Sequence, residues 1–157
     1  ATLPLSATVG QTMAFIPALT VMTAVVAAHG TWPHPRWLLI PVLLALQIAF
    51  SLGAGFLAAR YNYTYRDLEN LLPFVFRLAF YVSGVLYSVD HYIDSTLGRA
   101  VFLANPFYCF VTVWRWVLAG TPAAGEIWVA TGVWSTVTLV VGFALFRARE
   151  TTYGGTR

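Results

Sequence analysis

The chain has 157 residues, of which 59% are apolar and only 10% charged, with a formal net charge of +3. A water-soluble domain of this size carries roughly a quarter of its residues charged, so the deficit points to lipid as the solvent. All the basic residues are arginine and none is lysine, which excludes a phosphate-binding Gly-Lys loop and a Schiff-base lysine from this chain.

Lipid offers backbone groups no hydrogen bonds, so each crossing segment is a helix or part of a closed barrel. Barrel strands alternate polar and apolar residues over about ten positions. The apolar runs here are continuous and longer, so the expected fold is an all-α membrane protein. The opening is apolar from Ala1 and has neither an initiator methionine nor a basic leader. An N-terminal part of the protein is expected to be missing from this chain.

No charged residue precedes Arg36. Residues 5–28 suffice for a first span, with Pro17 set to kink it. The run from His29 to Arg36, with two prolines and a glycine, is a loop. A second span is expected over residues 37–59. The most polar stretch follows, Arg60 to Asn70, and then a third span over residues 71–88 that contains Arg77. Residues 95–120 read as two short helices. Ser95 caps the first; Asn105 caps the second, with Pro106 at its first position, and Gly120 ends it. Neither piece is long enough to cross, and Arg99 and Arg115 interrupt them, so the pair is expected to be a re-entrant hairpin. The last span covers residues 127–146, and a polar tail ends the chain. The expected architecture is therefore one transmembrane domain over residues 1–157, with four spans and an extracytoplasmic hairpin. With the hairpin not crossing, Arg60, Arg66, Arg147, Arg149 and Arg157 share one side, and the positive-inside bias makes that side, with the C-terminus, cytoplasmic. Trp32, Trp37, Trp114, Trp116 and Trp128 are expected near the outer interface, and Tyr61, Tyr63 and Tyr65 near the inner one.

Candidate functional residues follow from helical periodicity. In the third span Asn70, Phe74, Arg77, Tyr81, Gly84, Ser88 and His91 recur at steps of three and four and form one stripe. The other side, Leu72, Phe76, Ala79, Ser83 and Leu86, suits lipid or neighbouring helices. An arginine inside a span costs about 2.5–3.5 kcal/mol on insertion scales, so it faces protein, water or an anion. Either Phe74, Arg77 and Tyr81 line a substrate conduit, or Arg77 snorkels to the inner interface or pairs within the bundle. Small residues mark packing seams, Thr131, Ser135, Thr138 and Gly142 in the last span and Ser51, Gly55 and Ala59 in the second. Arg60, Arg66, Asp67 and Glu69 either touch a motor subunit or, for the two acids, simply cap the third span. His91 and Asp94 lack a third metal ligand, the lone Cys109 suits apolar packing, and no nucleophile stands at a recognisable spacing from a base. No metal site, no catalytic residue and no nucleic-acid partner is expected.

The stretch RYNYTYRDLENLLPFVFRLAFYVSGVLY, Arg60 to Tyr87, resembles the permeases of type-2 ABC exporters, above all those of the O-antigen and teichoic-acid type. The resemblance is carried by Arg66-Asp67, by Pro73-Phe74, by the run from Phe80 to Tyr87, by Asn105-Pro106 in the hairpin, by Arg115, and by a final span that ends in Phe-Arg. Gly84 departs from the proline of many relatives. The resemblance implies six spans in the full protein, with the two earlier ones outside this chain. It implies a non-catalytic subunit of a bacterial inner-membrane exporter that pairs as a homodimer and docks ATP-binding cassette subunits. Those subunits, not this chain, would hold ATP and Mg, and the complex would move a lipid-linked polysaccharide such as O-antigen, teichoic acid or a cell-wall galactan outward. Carried over by motif, Arg66 and Asp67 lie at the cytoplasmic coupling surface. A drug or small-lipid exporter of the same superfamily, and a membrane enzyme acting on lipid-linked sugars, are the alternative readings.

Overall fold

A computed structural model describes residues 2–30, 34–64, 68–84 and 96–153. Every element among them is helical: α1 Thr2–Ala28, a 3₁₀ turn Pro35–Leu39, α2 Ile40–Thr64, α3 Leu68–Val82, α4 Thr96–Leu103, α5 Pro106–Ala119 and α6 Gly125–Tyr153. Three segments are long and apolar enough to cross a membrane, Thr8–Ala28, Pro35–Tyr61 and Gly125–Ala148.

The helix ends obey local chemistry. Asn105 is extended, and its side chain accepts the Phe107 N–H at 3.0 Å while Pro106 occupies the first position of α5, as its sequence requires. Gly120 closes α5 with φ of 72°, a left-handed conformation that glycine adopts without penalty. α1 continues through Pro17. The 3₁₀ turn, opened by Pro35, runs directly into α2, so the second crossing segment starts at the turn.

Three lengths differ from the sequence expectation. α2 continues past Ala59 to Thr64, which turns much of the polar stretch into helix, and Arg60 sits within it. α6 runs on to Tyr153. α3 stops at Val82, well before residue 88, because Ser83 bonds back to the Phe80 carbonyl through both its N–H (3.2 Å) and its Oγ (2.6 Å), and Gly84 turns left-handed at φ 67°. At 1.5 Å per residue α3 is roughly 22 Å long, short of the roughly 30 Å hydrocarbon core.

The buried core is built around α5, half of whose fourteen residues are buried. Cys109, Val113, Trp114, Val117 and Leu118 of α5 pack with Leu43 of α2, Phe102 of α4 and Ile127 of α6. Cys109 fills apolar space as its type suggests.

α2 and α6 form the main helix pair and run parallel. Gly53 faces Thr138 and Gly142, Phe56 stacks against Phe143 and Phe146, and Arg60 donates to the Leu145 carbonyl at 2.7 Å. A methyl group on Gly142 would overlap the Gly53 carbonyl, and one on Gly53 would overlap the Thr138 backbone. The seam on α6 is the expected one, with Thr131 and Ser135 buried and their hydroxyls bonded to the carbonyls four residues back. On α2 the expected Ser51, Gly55 and Ala59 are displaced by Gly53. Ser51 and Ala59 are exposed, because Phe56 turns the Gly53 face of the helix toward α6.

Candidate functional site

The site is best located by depth along α2. The segment Pro35–Tyr61 is 27 residues, roughly 40 Å, and Phe50 lies near its middle. α5 runs antiparallel to it. Arg36 at the start of α2's segment lies with its guanidinium 4.8 Å over the Trp116 ring and donates to the Gly120 carbonyl at 3.4 Å. Further down, Trp114 Nε1 donates to Gln47 Oε1 at 2.8 Å, and the rings of Phe107 and Phe110 lie 6.2 and 5.3 Å from that of Phe50. α5 therefore begins at the level of the middle of α2 and ends level with its start.

α4 descends to the same depth. Arg99 pairs with Glu126 at the start of α6 at 3.0 Å, while the Leu103 carbonyl, at the bottom of α4, accepts from Trp134 Nε1, two helical turns further along α6. The turn at Ala104–Asn105 is thus level with the midpoint of the long helices, and both outer ends of the α4–α5 pair lie on one side.

α3 runs parallel to α5 and meets it along a narrow strip. Phe76 stacks edge-on to Phe107 with centroids 6.0 Å apart, Asn105 Nδ2 reaches the Ala79 carbonyl at 3.4 Å, and an Arg115 Nη reaches the Gly84 carbonyl at 3.4 Å. Ser83 is buried and Ala79 half-buried beside α5, whereas Phe76, though it touches Phe107, is half exposed. The stripe of Phe74, Arg77 and Tyr81 is exposed, with Phe74 63% and Tyr81 52% accessible.

That geometry gives Arg77 a depth. It follows Phe76, which is level with Phe107 and so with Phe50 at the middle of the second crossing segment. Among the described residues Arg77 has no ion-pair or hydrogen-bond partner. Its side chain is exposed on the surface of the bundle.

The remaining sequence candidates divide. Asn105, Pro106 and Arg115 come together at the α3–α5 contact. Arg60 lies apart, on the α2–α6 seam. Arg66 and Asp67 fall outside the described residues, as do Trp32, Ser88, His91 and Asp94; Glu69 lies in the first turn of α3. No three His, Cys, Asp or Glu side chains among the described residues are grouped to hold a metal. Trp116 and Trp128 lie edge to face at 5.6 Å, at the end of the bundle that holds Arg36 and Gly120. Trp114 does not lie there: it is buried in the core against Phe15, and its indole N–H is committed to Gln47. Gln47 itself escaped the sequence reading. The signal was there, since an amide inside an apolar span has to find a partner on another helix.

The comparisons bear on this arrangement. Residues 2–119 match the family model described as ABC-2 type transporter. An O-antigen export system permease protein, RfbA, of Myxococcus xanthus is 28% identical over 113 residues, 72% of this chain and 44% of that protein. RfbA of Klebsiella pneumoniae is 24% identical over 145 residues, 92% of this chain and 55% of its own length. A second Klebsiella pneumoniae protein of that name is 25% identical over 114 residues, 72% of this chain and 43% of its own length. The chain spans about half the length of these curated relatives. No solved structure matches it significantly.

Proposed function

The chain belongs to the ABC-2 type transporter family, and from that premise we propose that it is part of the transmembrane subunit of an ATP-driven exporter carrying a lipid-linked polysaccharide out of the cytoplasm. The relatives named as O-antigen export permeases support a polysaccharide as cargo over a drug or a small lipid. A separate ATP-binding cassette subunit would bind ATP and Mg. A second copy of the permease would complete the pathway. On this reading the protein lies in the bacterial inner membrane, the outer side is that of Arg36 and Gly120, and α4 and α5 are a re-entrant hairpin dipping from it. Arg60, Arg66, Asp67 and Glu69 would lie near the cytoplasmic face that meets the ATPase.

The observation in this chain that carries the reading is the level of Arg77. A cation at the middle of the apolar segment, turned away from its own bundle, is stable only against water or an anion. A conduit for a charged, hydrated cargo supplies both. Phe74 and Tyr81, on the same stripe, offer flat apolar faces along which sugar rings can slide, and Arg77 offers a charge to an anionic group of the cargo.

The test is export of glycan to the cell surface by the full-length permease with its ATPase in a strain lacking its own permease. Arg77→Ala is expected to reduce export by tenfold or more with permease abundance and ATPase association unchanged, and Arg77→Lys to retain part of it. Unchanged export by Arg77→Ala would remove the conduit role. An ATPase rate in reconstituted vesicles that ignores a lipid-linked glycan but responds to hydrophobic drugs would overturn the choice of cargo.

A further inference from the structure

A helix that ends inside the hydrocarbon layer, short of the interface, exposes carbonyl groups where there is no bulk water to satisfy them. α3 ends in this way. In a continued helix the Ser83 N–H would bond to the Ala79 carbonyl, but here it bonds to Phe80, three residues back, and Gly84 turns the chain away. The Ala79 carbonyl takes its hydrogen from Asn105 Nδ2 instead, at 3.4 Å, and the Gly84 carbonyl takes one from Arg115 at 3.4 Å. Asn105 thus works in two directions. Its Oδ1 caps α5 through the Phe107 N–H, and its Nδ2 reaches across to α3. α5 is in turn fixed to α2 by Gln47 and the buried core, whereas α3 makes only sparse contacts, with α5 and α2.

We propose that Asn105 is a positioning residue for the Arg77 stripe: its amide joins the intramembrane end of α3 to the start of α5, so that the two helices move as one body, with Arg115 as a second hold. The consequence for transport rests on the conduit reading above, but the joint between the helices does not.

The two roles of Asn105 can be separated. Serine keeps a side-chain oxygen for the Phe107 N–H but is too short to reach Ala79. Aspartate keeps the acceptor and loses the donor. The measurement is oxidative cross-linking between cysteines replacing Phe76 and Phe107, in the full-length permease with its ATPase in membrane vesicles, with Cys109 and any other cysteine replaced by alanine. The cross-link is expected to form at the same rate without nucleotide and with ATP and vanadate. Asn105→Ser is expected to slow it about threefold, the worth of an average interhelical hydrogen bond in a membrane protein. Asn105→Asp should slow it at least as much, and Arg115→Gln by a smaller factor. The proposal is overturned if Asn105→Ser and Asn105→Asp cross-link at the unsubstituted rate, or if the unsubstituted pair changes severalfold between nucleotide states. That second comparison needs no change at Asn105, so it decides even where the variants fail to accumulate. A complex that proves to export no glycan would overturn the functional reading and leave the cross-linking result standing.

Discussion

At the scale of single residues, two glycines show how context decides what a small side chain is for. Gly142 lies against the Gly53 carbonyl, so even one methyl group forces the two helices apart, whereas Gly132, next to Thr131 but off the seam, has open space around it. Gly142→Ala is therefore expected to destabilise the protein by about 1–3 kcal/mol, the usual cost of overpacking. Gly132→Ala should be neutral or stabilising by up to about 1 kcal/mol through helix propensity alone. Thermal unfolding in detergent checks both, and equal melting points for the two variants would contradict the close approach. Gly142 was legible in the sequence as part of a small-residue stripe. Gly53 was not, because a single helix carries several such stripes and only the partner, here through Phe56 against Phe143 and Phe146, selects which one is used.

At the scale of elements, caps were more legible than lengths. Asn105-Pro106 and Gly120 declare the two ends of α5, because each supplies a local group or conformation that a helix end needs. The break after Val82 was not legible, because a serine and a glycine within an apolar run are equally compatible with a continuous span, and the acceptance of free carbonyls depends on Asn105 and Arg115 from another helix. The contact between Trp114 and Gln47 is of the same long-range kind. Its strength is measurable by a double-mutant cycle with Trp114→Phe and Gln47→Leu, read from equilibrium unfolding in bicelles. The expected coupling is about 0.6 kcal/mol and below about 1.7 kcal/mol, the range for hydrogen bonds between membrane helices. A coupling of zero would mean that α5 is held by apolar packing alone.

At the scale of the molecule, the contacts fix a vertical order that hydropathy gave only in outline. Arg36, Gly120, Arg99 and Glu126 gather at one end, and Arg60 and Leu145 at the other. A single cysteine at Thr121 in the full-length protein is expected to react with a membrane-impermeant maleimide added to intact cells. One at Ala148 is expected to react only after the cells are opened. The reverse pattern would invert the orientation proposed above. The arrangement also explains why charge alone marked Arg77 without giving its level along the helices. Its depth is relayed through Phe76, Phe107 and Phe50, residues from three different helices.

The parallel pair of α2 and α6 carries a consequence for biogenesis. Roughly 90 residues separate Gly53 from Gly142, so a ribosome adding about 5–20 residues per second needs roughly 5–18 s between delivering one and the other. During that interval α2 has to wait in the bilayer with its glycine notch filled by lipid or by an assembly factor, until α6 arrives to close the pair.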